Sequence, residues 1–147
     1  MELISSYMIS HHRDCDAAFA RAEKAAGAAD WPGLEREAGG FFDEMERHIA
    51  AEEELLFPAF EERTGMAGGG PTAVMRMEHE QIRSLFADMR AAMDSRDTGQ
   101  YLGAAQTLRG LLQQHNAKEE NMMYPMLDQA LGEDAAMVFG QVRGAMA

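Results

Sequence analysis

Four of the five histidines in this chain obey one spacing. His79 follows His12 at the same interval at which His115 follows His48. The second pair lies in two copies of one phrase, HIAAEEELLFPAF from His48 to Phe60 and HNAKEENMMYPML from His115 to Leu127. Each copy reads His-x-x-x-Glu-Glu, then apolar residues, then an aromatic residue and proline. The constant offset predicts a duplicated unit, with pseudo-repeats over about residues 8–63 and 75–130 of a single domain, 1–147.

The pattern between the histidines is helical. In the first segment, about Leu3 to Ala29, the apolar positions Leu3, Ile4, Met8, Cys15, Phe19 and Ala22 recur at helix spacing. Further segments are predicted from about Pro32 to Arg63, Pro71 to Ser95 and Gln100 to Ala130, with a short tail helix from Glu133 to Met146. Thr64 to Pro71 is the clearest loop, and Asp30 is placed to cap the second helix. Pro58 and Pro125 fall inside helical phrases, where each removes an N–H and crowds the carbonyl four residues back. A kink or a shift in helix direction is expected at both, at the end of the bundle and away from the histidines.

Turn positions supply a geometric test. Asp30 lies midway between His12 and His48, and Asp97 lies midway between His79 and His115. In an antiparallel hairpin, residues equidistant from the turn share a height, here about 27 Å from it. The fold class is therefore all-α, an up-down-up-down antiparallel four-helix bundle with a short C-terminal helix and all four histidines in one layer.

Glu52 and Glu119 each follow a histidine by four residues and share its helix face. His12, His48, Glu52, His79, His115 and Glu119 thus form a candidate ligand set for two metal ions. Four imidazoles and two carboxylates suit iron, manganese or zinc. Six protein ligands do not saturate two six-coordinate ions, so water, oxide or hydroxide would fill positions open to exchange.

Neighbouring residues receive plainer readings. His11 points about 100° from His12 and is assigned to the rim or surface. Glu53 and Glu120 point aside and are assigned to solvent. Glu44 shares a face with His48 and reads as a solvated charge, the alternative being a contact to an imidazole N–H. Asp16, four after His12, is an outer contact or weak ligand. Tyr124 and Phe57 are repeat mates and are assigned to packing. The 13 methionines read as core filler rather than copper ligands.

Composition narrows the function classes. The formal charge of −12 argues against nucleic acid, whose phosphates need a basic surface. The single cysteine, Cys15, permits neither an intramolecular disulfide nor a cysteine-based zinc site, and reads as a small buried hydrophobe in a reducing compartment. No apolar run approaches a membrane span, and the N-terminus lacks a signal-peptide pattern, so a cytoplasmic location is expected.

The segments HHRDCD (His11 to Asp16), HIAAEEELLFP (His48 to Pro58), MEHEQI (Met77 to Ile82) and HNAKEENMMYP (His115 to Pro125) resemble the hemerythrin-like family, in its His-His-Glu cation-binding branch. The resemblance covers about residues 8 to 130. It implies a four-helix bundle with a non-haem di-iron centre, oxo- or hydroxo-bridged, held by the six residues named above. The chain departs from the oxygen-carrying members, which have a His-x-x-x-His pair on the third helix, its second position here Arg83, and use an aspartate a little further along the fourth helix, while this chain has Glu119. Simple oxygen carriage is thereby put in doubt. The ferritin-like alternative is disfavoured, because that fold uses Glu-x-x-His pairs and more glutamates.

Three functions follow as expectations. The first is binding or sensing a small diatomic ligand, oxygen or nitric oxide. The second is a stress protein that decomposes peroxide or donates iron for repair of damaged iron centres. The third is a metal-stabilised structural or regulatory module.

Overall fold

The computed structural model describes residues 3–147; Met1 and Glu2, at the start of the N-terminal stretch read above, lie outside the described residues. Helices run α1 Ile4–Gly27, α2 Trp31–Ala51, α3 Phe57–Thr64, α4 Pro71–Asp94, α5 Thr98–Lys118, α6 Tyr124–Leu131 and α7 Ala135–Met146. There is no strand among the described residues. Four long rods result, because α3 continues α2 and α6 continues α5. They pack as a four-helix bundle in which α1 lies against α2 and α5, and α4 against α2 and α5.

Both turns are built alike. Asp30 accepts a hydrogen bond from the Gly33 N–H, and Asp97 accepts one from the Gln100 N–H. Each aspartate satisfies one of the free N–H groups at a helix start. The residue before each, Ala29 and Arg96, is left-handed at φ 53° and 52°. These two residues are repeat mates as well. The fourth rod accordingly starts at Thr98, just after its cap and slightly ahead of the Gln100 start read from the sequence. At the other end of the bundle, Gly65 adopts φ 72° and closes α3 by donating its N–H to the Glu61 carbonyl.

An irregularity does precede each proline. A π-helical turn spans Glu52–Leu56 and another spans Glu119–Met123. Phe57 N–H reaches back to the Glu52 carbonyl and Tyr124 N–H to the Glu119 carbonyl, one residue further than in an α-helix. Each widened turn ends at the residue before the aromatic-proline pair, so the rod continues past the missing N–H. The expectation that Pro58 and Pro125 stand apart from the histidine layer is therefore corrected: each widened turn begins at the glutamate of the repeated phrase.

The apolar interior is in two parts. On the side of the Asp30 and Asp97 turns it holds Phe19, Leu34, Phe41, Phe42, Phe86, Tyr101 and Leu108, with Phe41 edge-on to both Phe19 and Phe86. On the other side it holds Met8, Leu56, Phe57, Phe60, Tyr124 and Leu127, closed by Val138, Phe139 and Val142 of α7. Met8, Met45, Met75, Met89 and Met123 fill this interior, whereas Met77 and Met137 are exposed. Between the two parts lies one buried polar layer. No helix of the described residues is long and apolar enough to cross a membrane.

Candidate metal centre

The polar layer gathers all six residues singled out by the repeat. His12 comes from α1, His48 from the last turn of α2, His79 from α4 and His115 from α5. Glu52 and Glu119 each open a π-helical turn. None of the six is more than 2% exposed, so the layer is sealed from bulk water. Each imidazole turns its Nε2 inward. The distances are 3.0 Å from His12 Nε2 to Glu119 Oε1 and 3.1 Å from His79 Nε2 to Glu52 Oε1. They are 3.6 Å from His48 Nε2 to Glu52 Oε2 and 3.4 Å from His115 Nε2 to Glu119 Oε2.

The other ring nitrogen of each histidine, Nδ1, is engaged on the outside. His12 Nδ1 donates to Glu120 at 2.8 Å and His79 Nδ1 donates to Glu53 at 2.9 Å. His115 Nδ1 donates to Glu78 at 2.8 Å. His48 Nδ1 meets His11 Nδ1 at 2.8 Å, and His11 Nε2 donates to Glu44 at 2.8 Å. A proton fixed on Nδ1 leaves the Nε2 lone pair free to face inward, which is the tautomer a metal ligand needs.

Several plain readings of the sequence are thus corrected. Glu53 and Glu120 are not solvated side groups, because each accepts from the Nδ1–H of a histidine on another helix. His11 takes the rim reading rather than the surface one; its ring is half-buried and stacked 5.0 Å from His48. Glu44 takes the alternative reading, as the acceptor at the end of the His48–His11 chain. Glu78, repeat mate of His11, fills the same role toward His115. Asp16 is exposed and outside the inward-facing donors. Cys15 is buried, 3.7 Å from His11 Nδ1.

Tyr124 is the residue that sequence reasoning missed. Its hydroxyl donates to Glu52 Oε2 at 2.7 Å and lies 3.0 Å from Glu119 Oε1, 3.1 Å from His12 Nε2 and 3.2 Å from His48 Nε2. Its repeat mate Phe57 has no hydroxyl and stacks on His79 instead, 5.7 Å between centroids. The signal was the proline after it. A widened turn ahead of Pro125 brings positions 119 and 124 onto one face, which an ordinary helix does not.

Charge accounts for the protonation of the layer. Burial alone would lower both His12 and His79. The hydrogen bonds to Glu119 and Glu120 and the charges of Glu119 and Glu52 outweigh it for His12, pushed up to about 9. Glu52, Glu53 and the charge of Glu119 do the same for His79, also pushed up to about 9. Burial works to raise Glu52, yet the facing His48 and His79 hold it well below the usual carboxylate range. Burial, then the charges of Glu119 and Glu52, keep the Tyr124 phenol well above its ordinary value. The two central carboxylates therefore demand positive charge, which protons or metal ions can provide.

Whether a metal fits is decided by the donors left over. Glu52 Oε1, His79 Nε2 and Glu119 Oε2 are buried and have no hydrogen-bond partner. His79 Nε2 and Glu52 Oε1 are close but off the line a hydrogen bond requires. A buried polar atom without a partner is costly, and these three sit in one cluster. Two groups of donor atoms fall within 4.8 Å of one another: Glu52, His79, His115 and Glu119, and His12, His48 and Glu119. Glu119 is common to both. Imidazole nitrogen with carboxylate oxygen fits a first-row divalent metal.

A metal-compatible His/Glu layer inside a four-helix bundle defines a class, and comparison with known proteins agrees. The Hemerythrin HHE cation binding domain matches residues 3–127, and the chain belongs to this family. Among curated proteins, an iron-sulfur cluster repair protein YtfE of Edwardsiella ictaluri is 29% identical over 110 residues, 69% of this chain and 48% of that protein. An uncharacterized hemerythrin-like protein of Schizosaccharomyces pombe is 26% identical over 140 residues, covering 93% of this chain and 65% of the relative. A YtfE protein of Yersinia pseudotuberculosis is 26% identical over 138 residues, 84% of this chain and 62% of its own length. The chain thus spans about half to two-thirds of the length of these relatives. No solved structure matches it.

Proposed function

We propose that the chain holds two iron ions, with His12, His48, Glu52, His79, His115 and Glu119 as ligands, and binds a small diatomic molecule, oxygen or nitric oxide, at that centre. The observation that carries this reading is the pair of donor groups sharing Glu119, with three buried donor atoms otherwise unpartnered. Iron bound there would supply exchangeable coordination positions and electrons. The protein supplies the rest. Glu53, Glu78, Glu120 and His11 orient the imidazoles. The Tyr124 hydroxyl aims a hydrogen-bond donor into the layer. Near-complete burial favours a ligand of very few atoms over a larger substrate.

The test is the optical spectrum of anaerobically iron-loaded protein, before and after each gas. A new band that disappears when the gas is removed supports the reading, and an unchanged spectrum with both gases sinks it.

A second reading is favoured by the printed name of several relatives, iron-sulfur cluster repair protein. On that reading the chain is a stress protein whose iron is donated to damaged clusters or turns over peroxide. Iron transfer to an apo-ferredoxin acceptor tests donation, and peroxide turnover above that of free iron tests catalysis. A zinc-bound structural module is the third reading, supported if iron replaces zinc with no change in stability.

A further inference from the structure

The four outer partners of the histidines are not equally fixed. Glu53 is clamped by Arg83, whose guanidinium lies 2.8 Å from Glu53 Oε1 and also approaches Glu46. Glu78 is held by Lys118, and Glu44, behind His11, by Arg47. Glu120 pairs with His12 but with no lysine or arginine among the described residues. Its side chain is 33% exposed, against 19% for Glu53 and 9% for Glu78.

The repeat explains the difference. The repeat mate of Arg83 is Asp16, so a carboxylate stands where the other half has its clamp. Without a guanidinium to fill it, the space between α1 and α5 is an open groove of about 450 Å³. Asp16, Ala20, Ala117 and Glu120 are among its walls. The one basic residue lining it, Arg109, is already paired with Glu23. Of these lining residues, Glu120 is in direct contact with His12. A swing of this side chain away from His12 would open the ring to the groove, whereas on the other three sides a pair with a lysine or arginine must break as well.

We propose that the α1–α5 groove is the route by which divalent metal ions reach and leave the buried centre, with Glu120 as its gate. The inference rests on the reading of the layer as a metal site and adds where exchange occurs. The carboxylates on the walls match a cation that would shed its water stepwise against them.

The test uses cobalt(II) alone, added to the metal-free full chain and followed by its visible absorption in a stopped-flow instrument. Ala20→Trp plugs the groove, because a helical side chain leans over the turn before its own Cα, here toward Asp16. Ala87→Trp is the matched control, at the equivalent position of the other repeat, on the face closed by Arg83. Both alanines are exposed, so both variants are expected to fold. The expected result is uptake slowed about tenfold by Ala20→Trp, with unchanged final spectrum and stoichiometry, and the parental rate for Ala87→Trp. Chelator-driven release should slow by the same variant. Equal uptake rates in the parent and both variants, with full loading, would overturn the route and leave the metal site standing. A parent that takes up no cobalt would overturn both.

Discussion

Each imidazole of the layer uses its two nitrogens for different tasks, one locked to an outer acceptor and one facing the centre. Removing an outer acceptor should therefore weaken metal binding without removing a ligand. Glu53→Ala is expected to lower metal affinity roughly 10- to 100-fold, measured by competition with a chromophoric chelator. Glu119 belongs to both donor groups and Glu52 to one, so the double variant Glu52→Ala, Glu119→Ala should bind no metal. Two metals per chain retained in that variant would refute the assignment. Cys15 offers a separate check on burial. Its thiol is pushed up to about 12, first by burial and then by nearby carboxylates such as Glu44. Thiolate at pH 8 should be about a thousandfold scarcer than for an ordinary thiol, so alkylation by iodoacetamide should be correspondingly slow.

At the scale of elements, equal turns and equal widened segments put the layer together. Asp30 and Asp97 cap α2 and α5 through their side chains, at one end of the bundle. Asp30→Ala and Asp97→Ala are each expected to cost about 1 kcal/mol, with near-additive loss in the double variant, measured by urea denaturation of the metal-free protein. A loss confined to one cap would show that the turns are not equivalent. The widened turns act at the opposite end of α2 and α5. There Glu52 and Glu53 meet opposite ring nitrogens of His79, Glu119 and Glu120 meet opposite ring nitrogens of His12, and the Tyr124 hydroxyl points inward. These glutamate pairs are adjacent in sequence, yet one member of each faces the centre and the other reinforces a ring from outside.

Across the whole molecule, a polar layer interrupts the apolar interior, and its charge must be balanced. In metal-free protein, protonated His12 and His79 do this, with folded-state values of about 9 against an ordinary value near 6.5. A raised value means the folded state binds protons more tightly than the unfolded one. The resulting stability is fully present below about pH 6.5 and is lost as pH rises through about 9. Thermal unfolding of the metal-free protein should therefore fall in temperature across that window. Metal-loaded protein, whose balance comes from the ions, should show a smaller decline, and the gap between the two should widen with pH. Parallel curves for the two forms would contradict this balance.

The all-helical bundle and its six central residues were legible because their signals are periodic. A constant offset between repeats, a four-residue His–Glu spacing and turns at both midpoints each follow from helix geometry acting along one chain. Those signals put His12, His48, Glu52, His79, His115 and Glu119 in one layer. What surrounds them was settled only in three dimensions. Glu53, Glu120 and Glu78 meet histidines on other helices, through contacts 26, 108 and 37 residues apart in sequence. The residues next to Glu52 and Glu119 in sequence meet the Nδ1 atoms of His79 and His12 from outside, contacts that a rotation of about 100° per residue along one helix does not show. Tyr124 was hidden because the repeat paired it with a phenylalanine. The two halves also differ where the repeat breaks, at Asp16 and Arg83. One chain position cannot reveal that a clamp is missing, because the clamp exists only as a contact between packed helices.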